Sequence, residues 1–158
     1  MANGDMLLFV EGQKTGVIKG ESADSIYPGQ IEISGWSWGM SSSTAMGGAG
    51  TGRKTSLSEL RIAKLVDSAS TPLMVVMRNN EVIKKAVLTV RKAGGKQIDY
   101  FTVTIERGRL TTYEMVSSSG PELSEQLSIS FEKIRVEYAP QSDKGARKAT
   151  STFESEVL

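Results

Sequence analysis

The 158-residue sequence contains no cysteine and no histidine. Without cysteine it has no disulfide, no thiol nucleophile and no thiolate metal site, and without histidine it lacks the commonest general base and transition-metal ligand. Serine–histidine hydrolases, zinc deaminases and histidine–carboxylate iron enzymes are therefore excluded. Because only carboxylates, lysines and tyrosines are left for catalysis, we expect a protein that is not an enzyme and that needs no metal or cofactor.

Net charge and long apolar runs are also nearly absent. The sequence has 19 Lys and Arg residues against 18 Asp and Glu residues, which gives a formal charge of +1. This charge creates no large electrostatic field that would attract nucleic acid or an anionic membrane. Its longest apolar runs, 6–10 and 73–77, are too short for a signal-peptide core or a membrane span. We expect a protein that folds in the cytoplasm, without nucleic acid or membrane insertion, and that leaves the cell only by a signal-peptide-independent route.

Most of the sequence has the period-2 alternation of β-strands. The clearest run is 98–106, in which apolar residues alternate with polar ones. A similar run at 82–91 precedes it, with a hairpin turn at 93–96 between the two, and a third run at 110–116 follows beyond Gly108. This order predicts a meander of short antiparallel strands.

Two other strands change phase midway. In one, the apolar positions shift from odd to even at Gly35, where we predict a bulge or a sharp bend, and in the other they shift at Glu132–Lys133. A one-residue slip turns the apolar side chains to the other face, so such strands fit a barrel in which a strand crosses from one sheet to another. A short helix is capped by Ser70 or Thr71 and ends near Asn79–Asn80.

The predicted fold class is therefore mainly β: an antiparallel two-sheet β-barrel with one short flanking α-helix. We assign the barrel domain to residues 1–140 and a polar, poorly ordered C-terminal tail to 141–158. Within the barrel domain, 41–56 is rich in Gly and Ser and is predicted to be an extended loop, which in a compact domain is usually functional or disordered.

The segment 47–55 in that loop approximates a phosphate-binding P-loop. The motif needs Lys and Ser or Thr directly after its second glycine, but here Arg53 separates Gly52 from Lys54. The residues that follow alternate like a strand, whereas a P-loop opens a helix. A contact loop is the preferred interpretation, and a nucleotide-binding enzyme is kept as an alternative.

The tryptophans of Trp36-Ser37-Trp38 share one strand face, and Ser37 lies on the other. We interpret the paired indoles as core filling rather than as a stacking platform for bases or sugars. The charged clusters are interpreted as solvated surface: Lys84, Lys85, Arg91, Lys92 and Lys96, and the carboxylates Asp24, Glu32 and Asp99.

Six segments in fixed order carry a family resemblance over residues 6–140. They are Gly20-Glu21-Ser22, Trp36-Ser37-Trp38-Gly39-Met40, the Gly-rich loop Gly47–Gly52, Thr71-Pro72-Leu73, Arg91-Lys92-Ala93-Gly94-Gly95, and Phe131–Tyr138 with Pro140. Together they resemble the haemolysin-coregulated protein family, Hcp, the tube protein of bacterial type VI secretion systems.

The resemblance implies a ring-forming barrel, similar in fold to phage tail-tube proteins, that closes as a homohexamer. Stacked rings would form a hollow tube that is expelled from the cell and carries effector proteins in its lumen. The implied partners are other copies of the protein, effectors, and the spike and sheath components. A phage or phage-like tail-tube protein shares this architecture and is the alternative function.

The strand alternation and the resemblance together suggest candidate contact residues. Ser37 is predicted to face the lumen, because its strand turns both indoles the other way, and Ser118 and Ser119 are a second lumen candidate. The residues predicted to contact an adjacent ring or subunit are Met40, Met46, Gly48, Arg53 and Lys54.

Overall fold

The computed structural model describes residues 6–43, 54–91, 99–117, 120–140 and 149–157. These residues form twelve strands and one helix. The bounds are β1 Met6–Gly12, β2 Gly16–Ile18, β3 Ile31–Glu32, β4 Gly35–Ser37, β5 Met40–Ser43, β6 Lys54–Leu57, β7 Leu60–Leu65, α1 Ser70–Arg78, β8 Ile83–Arg91, β9 Asp99–Ser117, β10 Leu123–Ser130, β11 Lys133–Tyr138 and β12 Ser151–Glu156.

Strand β9 belongs to two sheets because it is long enough to run through both. Its first half pairs with β8 and β11, and its second half pairs with β10, always antiparallel. We call the first sheet sheet A, with the order β2-β1-β8-β9-β11-β12 and β3 also on β1, and the second sheet B, with the order β9-β10-β7-β4. The mainly β class with antiparallel sheets and one helix is confirmed.

The backbone crosses between the sheets where the apolar phase changes. Ile33 donates its N–H to the carbonyl of Met6 in sheet A, and the next residue, Ser34, donates to the carbonyl of Ala63 in sheet B. The corner therefore lies just before Gly35, which pairs in register with Ala63. The prediction of a bulge or a sharp bend is therefore met by a bend and not by a bulge, because β4 and β7 pair without a register shift. A Cβ on Gly35 would lie 4.0 Å from the Cβ of Ala63, so the bend does not need a glycine at this position for space.

The second predicted crossing, at Glu132–Lys133, also matches a change of sheet. β10 pairs in sheet B and β11 in sheet A, with only Phe131 and Glu132 between them. The prediction that Gly108 separates two strands is wrong, because β9 continues through it. At Gly108 the backbone of β9 instead lies very close to the backbone of Ser130, and a Cβ on Gly108 would overlap the carbonyl oxygen of Ser130.

The core lies between the inward faces of the two sheets, and α1 contributes Leu73 and Val76 to it. Ala69 rather than Ser70 or Thr71 is the N-cap, without a side-chain cap hydrogen bond, so that prediction is wrong by one residue. The Ser70 hydroxyl instead accepts the N–H of Asp67, which ties the helix to the turn before it. The helix is followed by its C-cap, Asn79, as predicted.

Two segments predicted to lack regular structure contain strands. In 41–56, β5 and β6 pair as a two-stranded hairpin, and residues 44–53 lie outside the described residues. In 141–158, residues Ser151–Glu156 form β12, which pairs along its whole length with β11, so the prediction of a poorly ordered tail is wrong for this strand. Residues 141–148 and 158 lie outside the described residues. The physical reason is tertiary: β11 offers an open edge, and Arg135 pairs with Glu154 at 2.8 Å across it.

Candidate functional site

The outer face of sheet B carries small and polar side chains. Residues paired across neighbouring strands point to the same face, so the register identifies the members of this surface. We call these eight residues the open face: Ser37, Arg61, Ser128 and Thr112 in one row across β4, β7, β10 and β9, and Gly35, Ala63, Gln126 and Glu114 in the next.

The residues that alternate with the open face point inward and pack on the core. Trp36 stacks on Phe101 with 5.6 Å between ring centroids, and Trp38 lies 6.4 Å from Phe153. The indoles therefore fill the interior, as the strand alternation predicts. Ser37 is exposed on the opposite face.

Two shallow grooves meet on this surface. One, of about 420 Å³, runs along the open face. The other, of about 370 Å³, lies between Trp38–Ser41 and Ser56–Ser58 at the start of the β5–β6 hairpin. Ser37 and Arg61 line both grooves.

The β5–β6 hairpin, which we call the arm, projects from this junction. The Gly39 N–H donates to the Ser58 hydroxyl and the Ser58 N–H donates to the Gly39 carbonyl, both at 2.8 Å, so the base of the arm is closed. Every residue of β5 is exposed, and Met40 is 58% exposed. A two-stranded hairpin is marginally stable alone, and an exposed methionine gives it an apolar surface for a partner.

The predicted contact residues fall partly within this description. Met40 lies at the start of β5 and pairs with Leu57, and Lys54 lies in β6 opposite Ser43. Lys54 opens a strand, so the P-loop alternative lacks the helix N-terminus that the motif requires. The other candidates lie outside the described residues: Met46, Gly48, Arg53, Ser118 and Ser119.

A buried ionic network beneath sheet B was not anticipated. The ammonium of Lys64 contacts Glu125 on the neighbouring strand and Asp67 at 2.9 Å, and the Ser70 hydroxyl donates to Glu125 at 2.7 Å. Lys64 and Glu125 are both fully buried. The sequence alone contains an indication that Lys64 is buried, because Lys64 lies on the same strand face as the buried Leu60 and Ile62.

A second buried pair corrects the prediction that the charged clusters are solvated. Arg91 is buried and pairs with Asp24 at 2.8 Å, although 67 residues separate them. This guanidinium, with the N–H groups of Tyr27 and Ile26, holds the pKa of Asp24 below its usual value. Lys84, Lys85 and Glu32 are exposed as predicted, and the side chains of Lys92, Lys96 and Asp99 lie outside the described residues.

No group of three or more carboxylates is placed to hold a metal ion in the described ranges. The same ranges contain no helix with the length and hydropathy that crossing a membrane requires. The notable features of the described residues are thus surfaces: a polar sheet face, two shallow grooves and a projecting arm. They define a class of protein, an antiparallel two-sheet β fold with one exposed polar sheet face and an exposed two-stranded hairpin.

Comparison with known proteins identifies the family within this class. Residues 8–138 match the family model described as "Type VI secretion system effector, Hcp". The protein is 34% identical over 138 residues to protein hcp1 of Pseudomonas aeruginosa, and the match spans 85% of each sequence. The protein therefore belongs to the Hcp family, and the resemblance drawn from its sequence is confirmed.

Solved structures show the same fold. A type VI secretion system effector from Yersinia pestis has a TM-score of 0.77 at 24% identity, covering 97% of this protein and 100% of the other. The Hcp1 protein of Escherichia coli EAEC 042 has a TM-score of 0.77 at 19% identity, covering 94% and 97%. Because both sequence identities are below 25%, these two matches support the fold and nothing further.

Proposed function

We propose that this protein is a structural subunit of the type VI secretion tube. Hexameric rings of the protein stack into a hollow tube that is expelled from the cell and carries effector proteins in its lumen. The open face is the observation that carries this proposal, because it gives one side of an Hcp-family fold a shallow, polar lining suited to a channel. The protein is cytoplasmic during assembly and is then secreted by a route that needs no signal peptide.

The lumen is assigned to the open face, which includes Ser37 on the edge strand β4. A channel that releases its cargo needs many modest contacts rather than one deep pocket, and small hydroxyl and amide side chains supply them. Ser37, Thr112 and Gln126 are exposed and surround a groove that is wide and shallow. Ser118 and Ser119, which follow β9 in the sequence, are proposed to extend this lining.

The arm is assigned to contacts between copies. A closed ring joins two different patches of the same protein, and an exposed hairpin that is only marginally stable alone can supply one of these patches. Met40 supplies exposed apolar surface there. The arm residues proposed to contact an adjacent subunit or ring are Met40, Met46, Gly48, Arg53 and Lys54.

The remaining partners follow from the same role: effectors inside the tube, the spike at its tip and the sheath around it. The near-zero net charge of +1 limits repulsion between stacked copies. A phage tail-tube protein has the same general architecture, but the match of residues 8–138 to the secretion family favours the secretion tube.

The first test is the mass and shape of the purified protein. A closed ring of six 17.1 kDa subunits has a mass of about 103 kDa, which light scattering after size exclusion measures directly. Negative-stain images viewed end-on should show rings with an open centre. A monomer at micromolar concentration, or solid particles, would contradict the tube proposal.

The second test concerns the lumen. Ser37→Gln places a bulkier side chain on the open face, and we expect intact rings that retain less of a co-expressed effector in a pull-down. Ser25→Gln, at an exposed position in the loop before β3, is the matched control and should retain effector normally. Unchanged retention by intact Ser37→Gln rings would show that this residue does not face the cargo.

A further inference from the structure

We propose that Arg61 is a carboxylate-binding position on the open face, and that it holds acidic segments of cargo proteins. The inference rests on the proposed function, because it takes the open face to be the cargo surface. It adds the chemistry of recognition: a guanidinium donates two parallel hydrogen bonds to one carboxylate, a geometry that a lysine ammonium does not offer.

Arg61 differs from the other strand arginines that the structure describes. Arg107 and Arg135 donate to Glu132 and Glu154, at 2.6 and 2.9 Å, Arg91 is paired with Asp24, and Arg109 donates to a backbone carbonyl. Arg61 is exposed, and within the described ranges no carboxylate lies at ion-pair distance from it. Its guanidinium is therefore available to an external anion.

The open face itself does not neutralise this cation. Its other charged residue, Glu114, lies on β9, whereas Arg61 lies on β7 with β10 between them. Two strand spacings amount to roughly 10 Å, so the two charges do not form a direct pair. The direct cross-strand neighbours of Arg61 are Ser37 and Ser128, which are small and leave the planar group accessible.

The position of Arg61 also suits an extended ligand. It lies where the two grooves meet, so a polypeptide segment passing from one groove to the other would cross it. Hydroxyl groups line both sides of the crossing, with Ser37 and Thr112 in one groove and Ser41 and Ser56 in the other. These groups donate to carboxylate or peptide oxygens, which makes the junction favourable for an acidic, extended segment.

Cargo is a better occupant than another copy of the protein because Arg61 lies inside a four-strand row, not on an edge of the molecule. A ring would repeat the position once per subunit, and several weak contacts to one cargo would then add by multivalency. A carboxylate can belong to an Asp or Glu side chain or to the C-terminus of a polypeptide. The chemistry at Arg61 is the same for both, so the test includes a probe for each.

The test uses fluorescence anisotropy on the full-length protein at low ionic strength with three short labelled peptides. One is rich in Glu with an amidated C-terminus, one has Gln in place of Glu and a free C-terminus, and one has Lys in place of Glu. We expect the Glu peptide to bind, and Arg61→Gln to weaken that binding about tenfold or more. Arg61→Lys should be intermediate, and the control Arg78→Gln, at an exposed helix position, should bind within about twofold of wild type.

Light scattering and circular dichroism on each variant separate the possible failures. Intact Arg61→Gln rings that bind the Glu peptide as well as wild type, or equal binding of the Lys peptide, overturn the proposal. A folded Arg61→Gln protein that no longer forms rings overturns it too, because Arg61 then serves a contact between copies. If Arg61→Gln does not fold, unchanged binding by Arg61→Lys decides against the proposal. If wild type is monomeric, the tube proposal fails, while the same titrations still decide on Arg61.

Discussion

Replacing Lys64 by Met removes an ammonium from a network buried between β7, β10 and the start of α1. Lys64 reaches three oxygen atoms, those of Glu125, Asp67 at 2.9 Å and Ser70 at 3.3 Å. After the substitution Glu125 keeps only the hydrogen bond from Ser70, and its second oxygen already lacks a partner in the described structure. The variant therefore leaves a carboxylate buried without a neighbouring cation.

The cost follows from burial, since both side chains are fully buried. Removing one partner of a buried ion pair costs about 3–5 kcal/mol, and we expect Lys64→Met to lower the free energy of unfolding by that amount. Glu125→Met should cost less, about 1–3 kcal/mol, because Lys64 retains Asp67 and Ser70. The double variant should lie within about 1 kcal/mol of wild type, because it removes both charges and fills the space with apolar atoms.

Urea denaturation followed by tryptophan fluorescence measures these free energies, since Trp36 and Trp38 both pack on the core. All variants must be compared at one protomer concentration, because an oligomer's stability depends on it. We expect a coupling energy of at least about 3 kcal/mol between the two positions. A cost of less than about 1 kcal/mol for Lys64→Met, or single effects that simply add in the double variant, would refute the role of the buried ion pair.

Two further predictions concern close packing and pH. Gly108→Ala should destabilise the fold by about 2–4 kcal/mol, because its Cβ would overlap the Ser130 carbonyl oxygen and lie 3.2 Å from Ile129 Cγ2. Gly35→Ala is the matched control, expected within about 1 kcal/mol of wild type in the same urea assay, and equal losses at the two glycines would contradict the packing argument. The pKa of Asp24 is lowered chiefly by Arg91, and that of Glu81 chiefly by the Thr15 N–H. A carboxyl whose pKa is lower in the folded state stabilises it while ionised, so the stabilisation is present above the unfolded pKa of about 4 and is lost as the pH falls through the lower folded value. Asp24→Asn should therefore be less stable at pH 7 and lose less further stability on acidification, as melting temperatures across the acid range will show. A melting temperature that falls as steeply in the variant as in wild type would argue against this role for Asp24.

The alternation of side chains along single strands was sufficient to predict much of this fold. It placed Trp36 and Trp38 inward and Ser37 outward, and it located both crossings between the sheets. These predictions succeed because a strand's two faces are set by its own period of two, and a change of phase must change the face that is buried. The ordered motifs added the family, which the match over residues 8–138 confirmed.

Only the tertiary structure decided which distant residues meet. Three arrangements depend on contacts between segments that are separate in sequence: the Arg91–Asp24 pair, the strand β12 on the edge of β11, and the pairing of Ser37 with Arg61. Local periodicity states which face a side chain occupies but not which strand lies beside it or in what register. For that reason Arg91 looked like solvated surface and the end of the sequence looked unstructured, although both gain their partners only when the sheets assemble.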